Sequence, residues 1–198
     1  MEKEFSIPTV RIEAFSDGVI AILITIMVFD LKVGEPLFES NFWSSMESIL
    51  PKFLAYGVSF IMLAIFWVNH HQRFHQIRQS DRLLIWYNIH LLFWMSLIPF
   101  GTNLIGSNPT LWQSTSIYSL IFLLNSWSFS LLRGYVNKKN MLHESISIQA
   151  QRKILRKNRI GQALYLTSAL ISPVSVYLSF GLLLLVPSLY FIPEKVNS

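Results

Sequence analysis

Apolar residues gather into long blocks along this chain, and polar or turn-forming residues punctuate them. The first block predicts a helix over about 10–31, which starts after Pro8-Thr9 and ends before Gly34 and Pro36. The second predicts a helix over about 48–76, with Pro51 tolerated in its first turn and a polar end, "NHHQRFHQ", that projects beyond the apolar part. A third spans about 82–104, and Pro99 puts a kink near its outer end. A fourth covers about 111–136, with Trp112 and Tyr135 placed as interfacial anchors. From about 140 to 157 the pattern turns polar, with Ile146, Ile148, Ile154 and Leu155 scattered through it. That stretch reads as an amphipathic helix or connector lying outside the membrane. The last apolar block, about 160–192, is too long for one span of about 20 residues and short for two. Pro173 and Gly181 offer breaks, so two short antiparallel helices over about 158–172 and 175–192 are expected, with one long tilted helix as the alternative. The predicted architecture is all-α: a single polytopic membrane domain over 1–198 with six transmembrane helices.

Composition supports a membrane setting. Of the 198 residues 52% are hydrophobic and only 14% are charged, against about 25% charged in a soluble domain. There is no cysteine, which excludes disulfides. The first apolar segment has no small-residue cleavage site before it and is expected to be retained. The net charge of +5 is uneven. Residues 72–82 and 133–159 are basic, 32–48 lean acidic and 101–110 carry no charge. This alternation fits the positive-inside rule better than a nucleic-acid patch. With six spans it puts both termini and both basic connectors in the cytoplasm of a cell-membrane protein that meets lipid and no nucleic acid.

The first block also carries the clearest candidate chemistry. Asp17 sits inside an apolar helix, where an ionisable residue costs up to about 2.5–3.5 kcal/mol at mid-span. At about 100° per residue, Ile22, Ile26 and Phe29 form one stripe with Thr25 at its edge, and Gly18, Phe15 and Arg11 extend it toward the cytoplasmic end. Asp17 points roughly 140° away from Ile22. It therefore faces neighbouring helices and needs donors, for which Trp67, Asn69, His70, His71 and Arg11 are candidates. Arg11 and Asp17 do not share a helix face, so pairing them within one helix needs a bent side chain, and otherwise a neighbouring subunit.

The pattern Arg11-x-x-x-Phe15-Ser16-Asp17, its continuation "GVIAILITIMVFDLKV" and the second-helix ending "FWVNHH" resemble the family of transmembrane protein 175, the lysosomal potassium channel, in its bacterial branch. The resemblance implies a homotetramer with a central pore lined by the first helix of each subunit. It implies a hydrophobic constriction at Ile22, Ile26 and Phe29, a pore-facing hydroxyl at Thr25, and structural ties through the signature residues. Phe29 departs from the pattern by placing a ring where an aliphatic chain is expected. No Thr-Val-Gly-Tyr-Gly filter occurs in the chain. The function implied is a potassium-preferring cation channel with no cofactor beyond permeant K⁺. Asp30, with Glu35 and Glu39, is a candidate for concentrating cations at the outer mouth, or for a plain solvated loop.

A proton-conducting or proton-coupled transporter is the alternative, with Asp17 and the histidines relaying protons. No enzyme is expected, because no nucleophile stands beside a base and no Gly-x-Ser-x-Gly turn occurs. His71 and His75 share a face at i, i+4, but no third ligand is evident from the sequence, so no metal site is expected.

Overall fold

Residues 8–32, 42–143 and 148–191 are described by a computed structural model. Glu35 and Glu39 lie outside these residues. The helices are α1 (Thr9–Ile26), α2 (Phe42–His75), α3 (Arg82–Ser96), α4 (Ile98–Ser107), α5 (Trp112–Lys138), α6 (Ile148–Ile171) and α7 (Val176–Phe191). Among the described residues the only extended pairing is one isolated bridge between Ile77 and Leu142. Among the described residues, four segments are long and apolar enough to cross a membrane: Thr9–Asp30, Phe42–His75, Arg82–Ser107 and Trp112–Lys138.

Several boundaries differ from the sequence expectation, each for a local reason. The α-geometry of the first helix stops at Ile26 and tightens into a 3-10 turn, Met27–Asp30. Helix α2 begins six residues earlier than expected, at Phe42, so Pro51 lies inside it rather than in its first turn. The third helix kinks as expected, its α-geometry interrupted at the single residue Leu97. Pro99 has no N–H for the Met95 carbonyl and its ring crowds that carbonyl. The Leu97 N–H turns back to Trp94 O at 3.2 Å, and Asn125 Nδ2 of α5 also donates to Trp94 O at 3.0 Å. At its start α3 is capped by Asp81, whose Oδ1 accepts the Leu84 N–H at 2.8 Å and whose Oδ2 accepts the Tyr135 hydroxyl of α5.

The polar stretch before residue 158 is no separate connector from residue 148 onward. It is the first part of α6, which continues unbroken to Ile171. Just beyond that stretch, polar residues of α6 are satisfied by α5: Ser126 donates to Asn158 Oδ1 at 3.1 Å, and Gln162 Nε2 donates to Ser130 Oγ at 2.9 Å. The chain turns at 172–175, around Pro173, while Gly181 lies inside α7. Helices α6 and α7 form an antiparallel hairpin against α5. Ser168 of α6 sits 2.9 Å from Ser119 of α5 and 2.7 Å from Ser179 of α7, all three fully buried. Small hydroxyl residues at helix crossings let backbones approach and supply the hydrogen bonds that hydrocarbon cannot.

Both basic connectors meet at one end of the bundle. Arg78 N–H donates to Met141 O at 2.7 Å, and His143 N–H donates to Gln76 O at 2.9 Å. Helix α5 ends there at Lys138, and Asn140 just beyond it takes a φ of 53°, the left-handed conformation that asparagine tolerates. At the opposite end α4 lies tight on α2. A Cβ on Gly106 would stand 3.0 Å from the Lys52 Cα, a backbone atom with little freedom to retreat. Gly106→Val is expected to push the helices apart at a cost of about 1–3 kcal/mol, read as a lower melting midpoint of the detergent-solubilised protein.

Candidate functional site

Helix α1 divides into two faces. Ile12, Ser16, Ile20 and Leu23 are buried, and Met27 of the 3-10 turn joins them. These residues pack on α2, α3 and α4. Positions 11, 15, 18, 22, 25, 26 and 29 are all exposed, flanked by Ala14, Ala21 and Val28. Phe15 is 60% exposed, Ile22 61%, Ile26 38% and Phe29 72%, so the stripe computed from helical geometry is the face that no other described helix covers. Thr25 Oγ1 donates to Ile22 O at 3.0 Å, which satisfies its proton within the helix and leaves its lone pairs outward. The 3-10 turn adds a feature: side chains three residues apart eclipse in that geometry, which brings Ile26 and Phe29 into line along one edge.

The inward face is held by polar ties at two levels. At the first level the Ser16 hydroxyl donates to Ile12 O at 2.8 Å, so its oxygen must accept from its other neighbour. Asn88 Nδ2 of α3 fills that role at 2.8 Å, and Asn88 Oδ1 then faces His70 Nε2 of α2 at 2.8 Å. The proton of His70 therefore sits on Nε2, and its ring stacks on Phe74 with centroids 4.3 Å apart. Ser16 and His70 are 0% exposed and Asn88 1%. Three helices thus share one buried file of hydrogen bonds.

Beside it, α1 and α2 form a two-rung ladder. Trp67 Nε1 donates to Asp17 Oδ1 at 2.9 Å, and His71 Nδ1 lies 2.8 Å from Glu13 Oε1. Trp67 stacks on His71 at 5.7 Å. Of the donors expected for Asp17, only Trp67 reaches it. His70 is taken by Asn88. Asn69 donates to the Ile65 carbonyl of its own helix at 2.7 Å, and His71 pairs with Glu13. Arg11 is exposed and has no side-chain partner among the described residues. Asp17 is half-buried, so the fully buried anchor of the signature is Ser16.

Glu13 was missed from the sequence, though a signal existed. Glu13 and Asp17 share a face at i, i+4, as do Trp67 and His71, and antiparallel helices bring two such pairs into register. One ligand atom each from Glu13, Asp17 and His71 lie within 4.8 Å of one another, so a third partner for His71 does exist. The Glu13–His71 contact and the indole bond already occupy these groups.

At the second level, toward the other end, the Thr102 hydroxyl of α4 lies 2.7 Å from Ser59 Oγ and 3.6 Å from Met27 Sδ. Ser59 Oγ in turn lies 2.7 Å from the Tyr118 hydroxyl of α5. Beyond it, Asn103 Nδ2 donates to Asp30 Oδ1 at 2.8 Å, fastening the end of the 3-10 turn to α4. None of this second level was anticipated except Asp30. Asn88 and Asn125 bond across helices as intramembrane amides commonly do, whereas His90 is satisfied within α3 by Trp94 Nε1 at 3.0 Å.

A family model described as the endosomal/lysosomal potassium channel TMEM175 matches residues 11–99. A protein of Chryseobacterium sp. (strain P1-3) named as a potassium channel is 35% identical over 185 residues, covering 93% of each chain. The crystal structure of a lysosomal potassium-selective channel TMEM175 homologue from Chamaesiphon minutus superposes with a TM-score of 0.76 at 31% identity, covering 92% of this chain and 95% of that one. The human endosomal/lysosomal proton channel TMEM175 is 32% identical over 117 residues, which are 55% of this chain and 21% of the human protein.

Proposed function

The chain belongs to the TMEM175 family, and from that premise we propose that it is a potassium-preferring cation channel. Four copies surround a pore that their α1 helices line. The observation that carries this reading is the uncovered α1 stripe of Phe15, Gly18, Ile22, Thr25, Ile26 and Phe29, with every polar tie of α1 on the other face. Assembly around that stripe turns an exposed apolar face into the wall of a conduit. Arg11 lies on the stripe and is available to a neighbouring copy.

Rings of Ile22, Ile26 and Phe29 offer no ligand to replace hydration water. They act by narrowing and dewetting, and an ion passes by shedding part of its shell. Potassium holds that shell more loosely than sodium, which favours potassium without a carbonyl filter. Thr25 hydroxyls order water beside the constriction, and Asp30, fixed by Asn103, stands at the mouth. The basic end of the bundle, with the N-terminus of α1, faces the cytoplasm by the positive-inside rule, in the cell membrane.

One observation favours a second reading, proton conduction: the Glu13–His71 and Asp17–Trp67 rungs place titratable groups beside the start of α1. Flux from proteoliposomes under a set voltage separates the two. We expect K⁺ to exceed Na⁺, with H⁺ flux small at neutral pH. Proton flux driven by a pH gradient alone, without K⁺ permeation, would replace the channel reading with the second one.

A further inference from the structure

A cleft of about 740 Å³ runs between α2, α5 and α6, away from the α1 stripe. On α2 its wall extends from Phe60 to Gln76, a rise of about 24 Å at 1.5 Å per residue. Most of the hydrocarbon half-depth and its interface fit within that length. The wall changes character along it. Phe60, Ile61, Ala64 and Ile65 line the inner part, while Arg73, Arg133 and Lys157 line the part near the basic end of the bundle. Among the described residues no Asp or Glu lines the cleft.

Arg73 is the telling residue. It is 6% exposed, its Nη2 donates to Asn137 Oδ1 at 3.1 Å, and its Nε is buried with no hydrogen-bond partner among the described residues. A buried guanidinium is costly unless an anion and further hydrogen bonds compensate it. Arg133 and Lys157 bring two more cations to the same cleft and rest against the rings of Phe129 and Tyr190, at 5.1 Å and 4.8 Å from the ring centroids. Among the described residues, a second copy of this chain has no unengaged carboxylate at this end to supply the anion. The described carboxylates at this end are already engaged: Glu13 with His71, Asp17 with Trp67, and Asp81 with Leu84 and Tyr135.

We propose that this cleft binds one anionic phospholipid per subunit. The headgroup phosphate sits among Arg73, Arg133 and Lys157, and an acyl chain lies along the apolar α2 wall. Basic pockets between membrane helices on the cytoplasmic side recognise anionic headgroups in this way, and arginine's planar fork suits a phosphate oxygen pair.

The test uses the full chain, purified in detergent and titrated with phosphatidylglycerol or phosphatidylcholine, with retained lipid counted by native mass spectrometry. Arg73→Gln risks misfolding, so the working variant is Arg133→Gln combined with Lys157→Gln. The wild type is expected to retain phosphatidylglycerol at least about tenfold better than phosphatidylcholine, and the double variant to lose that preference while keeping its melting midpoint without lipid. Equal retention of the two lipids by the wild type, or an undiminished preference in the variant, would overturn the proposal. The chain has no native cysteine, so a fluorophore on Ile65→Cys reports the apolar wall directly. Brominated phosphatidylglycerol is expected to quench it in vesicles. Oxidative dimerisation through that cysteine would instead seat a second copy in the cleft and sink the lipid assignment.

Discussion

Ile22→Asn is expected to raise the current through reconstituted protein by about tenfold, equivalent to about 1.4 kcal/mol off the barrier to permeation. The direction follows from what the side chain does. Ile22 is 61% exposed in the single chain, so its replacement leaves the packing of α1 on α2 and α3 intact. In the proposed assembly four isoleucines meet at one level and expel water between ion passages. Four amides hold water there, the conduit stays wet, and an ion crosses with more of its shell. The preference for K⁺ over Na⁺ should fall in the same measurement, because it comes from partial dehydration. Two controls bracket the result. Leu170 is 70% exposed on α6, and Leu170→Asn should leave the current per channel unchanged. Leu23 is 7% exposed on the packed face of α1, and Leu23→Asn should reduce folded protein instead of opening the pore. Unchanged currents for Ile22→Asn would remove this residue from the pore wall.

The α1 stripe was legible in the sequence because it depends on helix geometry alone. A pitch of 3.6 residues puts Ile22, Thr25, Ile26 and Phe29 together whatever surrounds them. The same arithmetic turned Asp17 away from the stripe, and the indole of Trp67 meets it there. What pairs with what was much less legible. Glu13 meets His71, and Asn88 joins Ser16 to His70, through helix registers that no local pattern encodes. Helix α6 shows the same limit from the other side. Its polar first part, up to Lys157, resembled a connector because its few apolar residues are scattered, and the bonds from Ser126 to Asn158 and from Gln162 to Ser130 that seat α6 on α5 appear only once α5 is in place. The kink at Leu97 was visible in Pro99, but the capture of the Trp94 carbonyl by Asn125 needs α5 in place. Local geometry could be read from residue spacing, whereas tertiary satisfaction of polar groups could not.

The file through Asn88 leads to the second large effect, this time on stability. Asn88→Leu keeps the branched shape of the side chain and deletes both of its bonds. His70 Nε2–H, buried and aimed at the lost oxygen, is orphaned, while Ser16 keeps its own bond to Ile12 O and loses only an incoming donor. An orphaned buried donor costs about 1–3 kcal/mol. A single interhelical hydrogen bond in a membrane protein averages only about 0.6 kcal/mol, because separated helices find other partners in the bilayer. The His70 donor decides between these figures: its ring is 0% exposed and stacked on Phe74, so it has little freedom to turn toward another acceptor. A loss of about 2 kcal/mol is expected, or a melting midpoint lower by roughly 4–8 °C for a chain of this size. Ser16→Ala should cost less, since it orphans only one amide hydrogen of Asn88. Combined with Asn88→Leu it should add almost nothing, because the bond between the two residues is then already gone. Fully additive losses in that cycle would show that the file is three separate contacts rather than one tie that sets the rotation of α1.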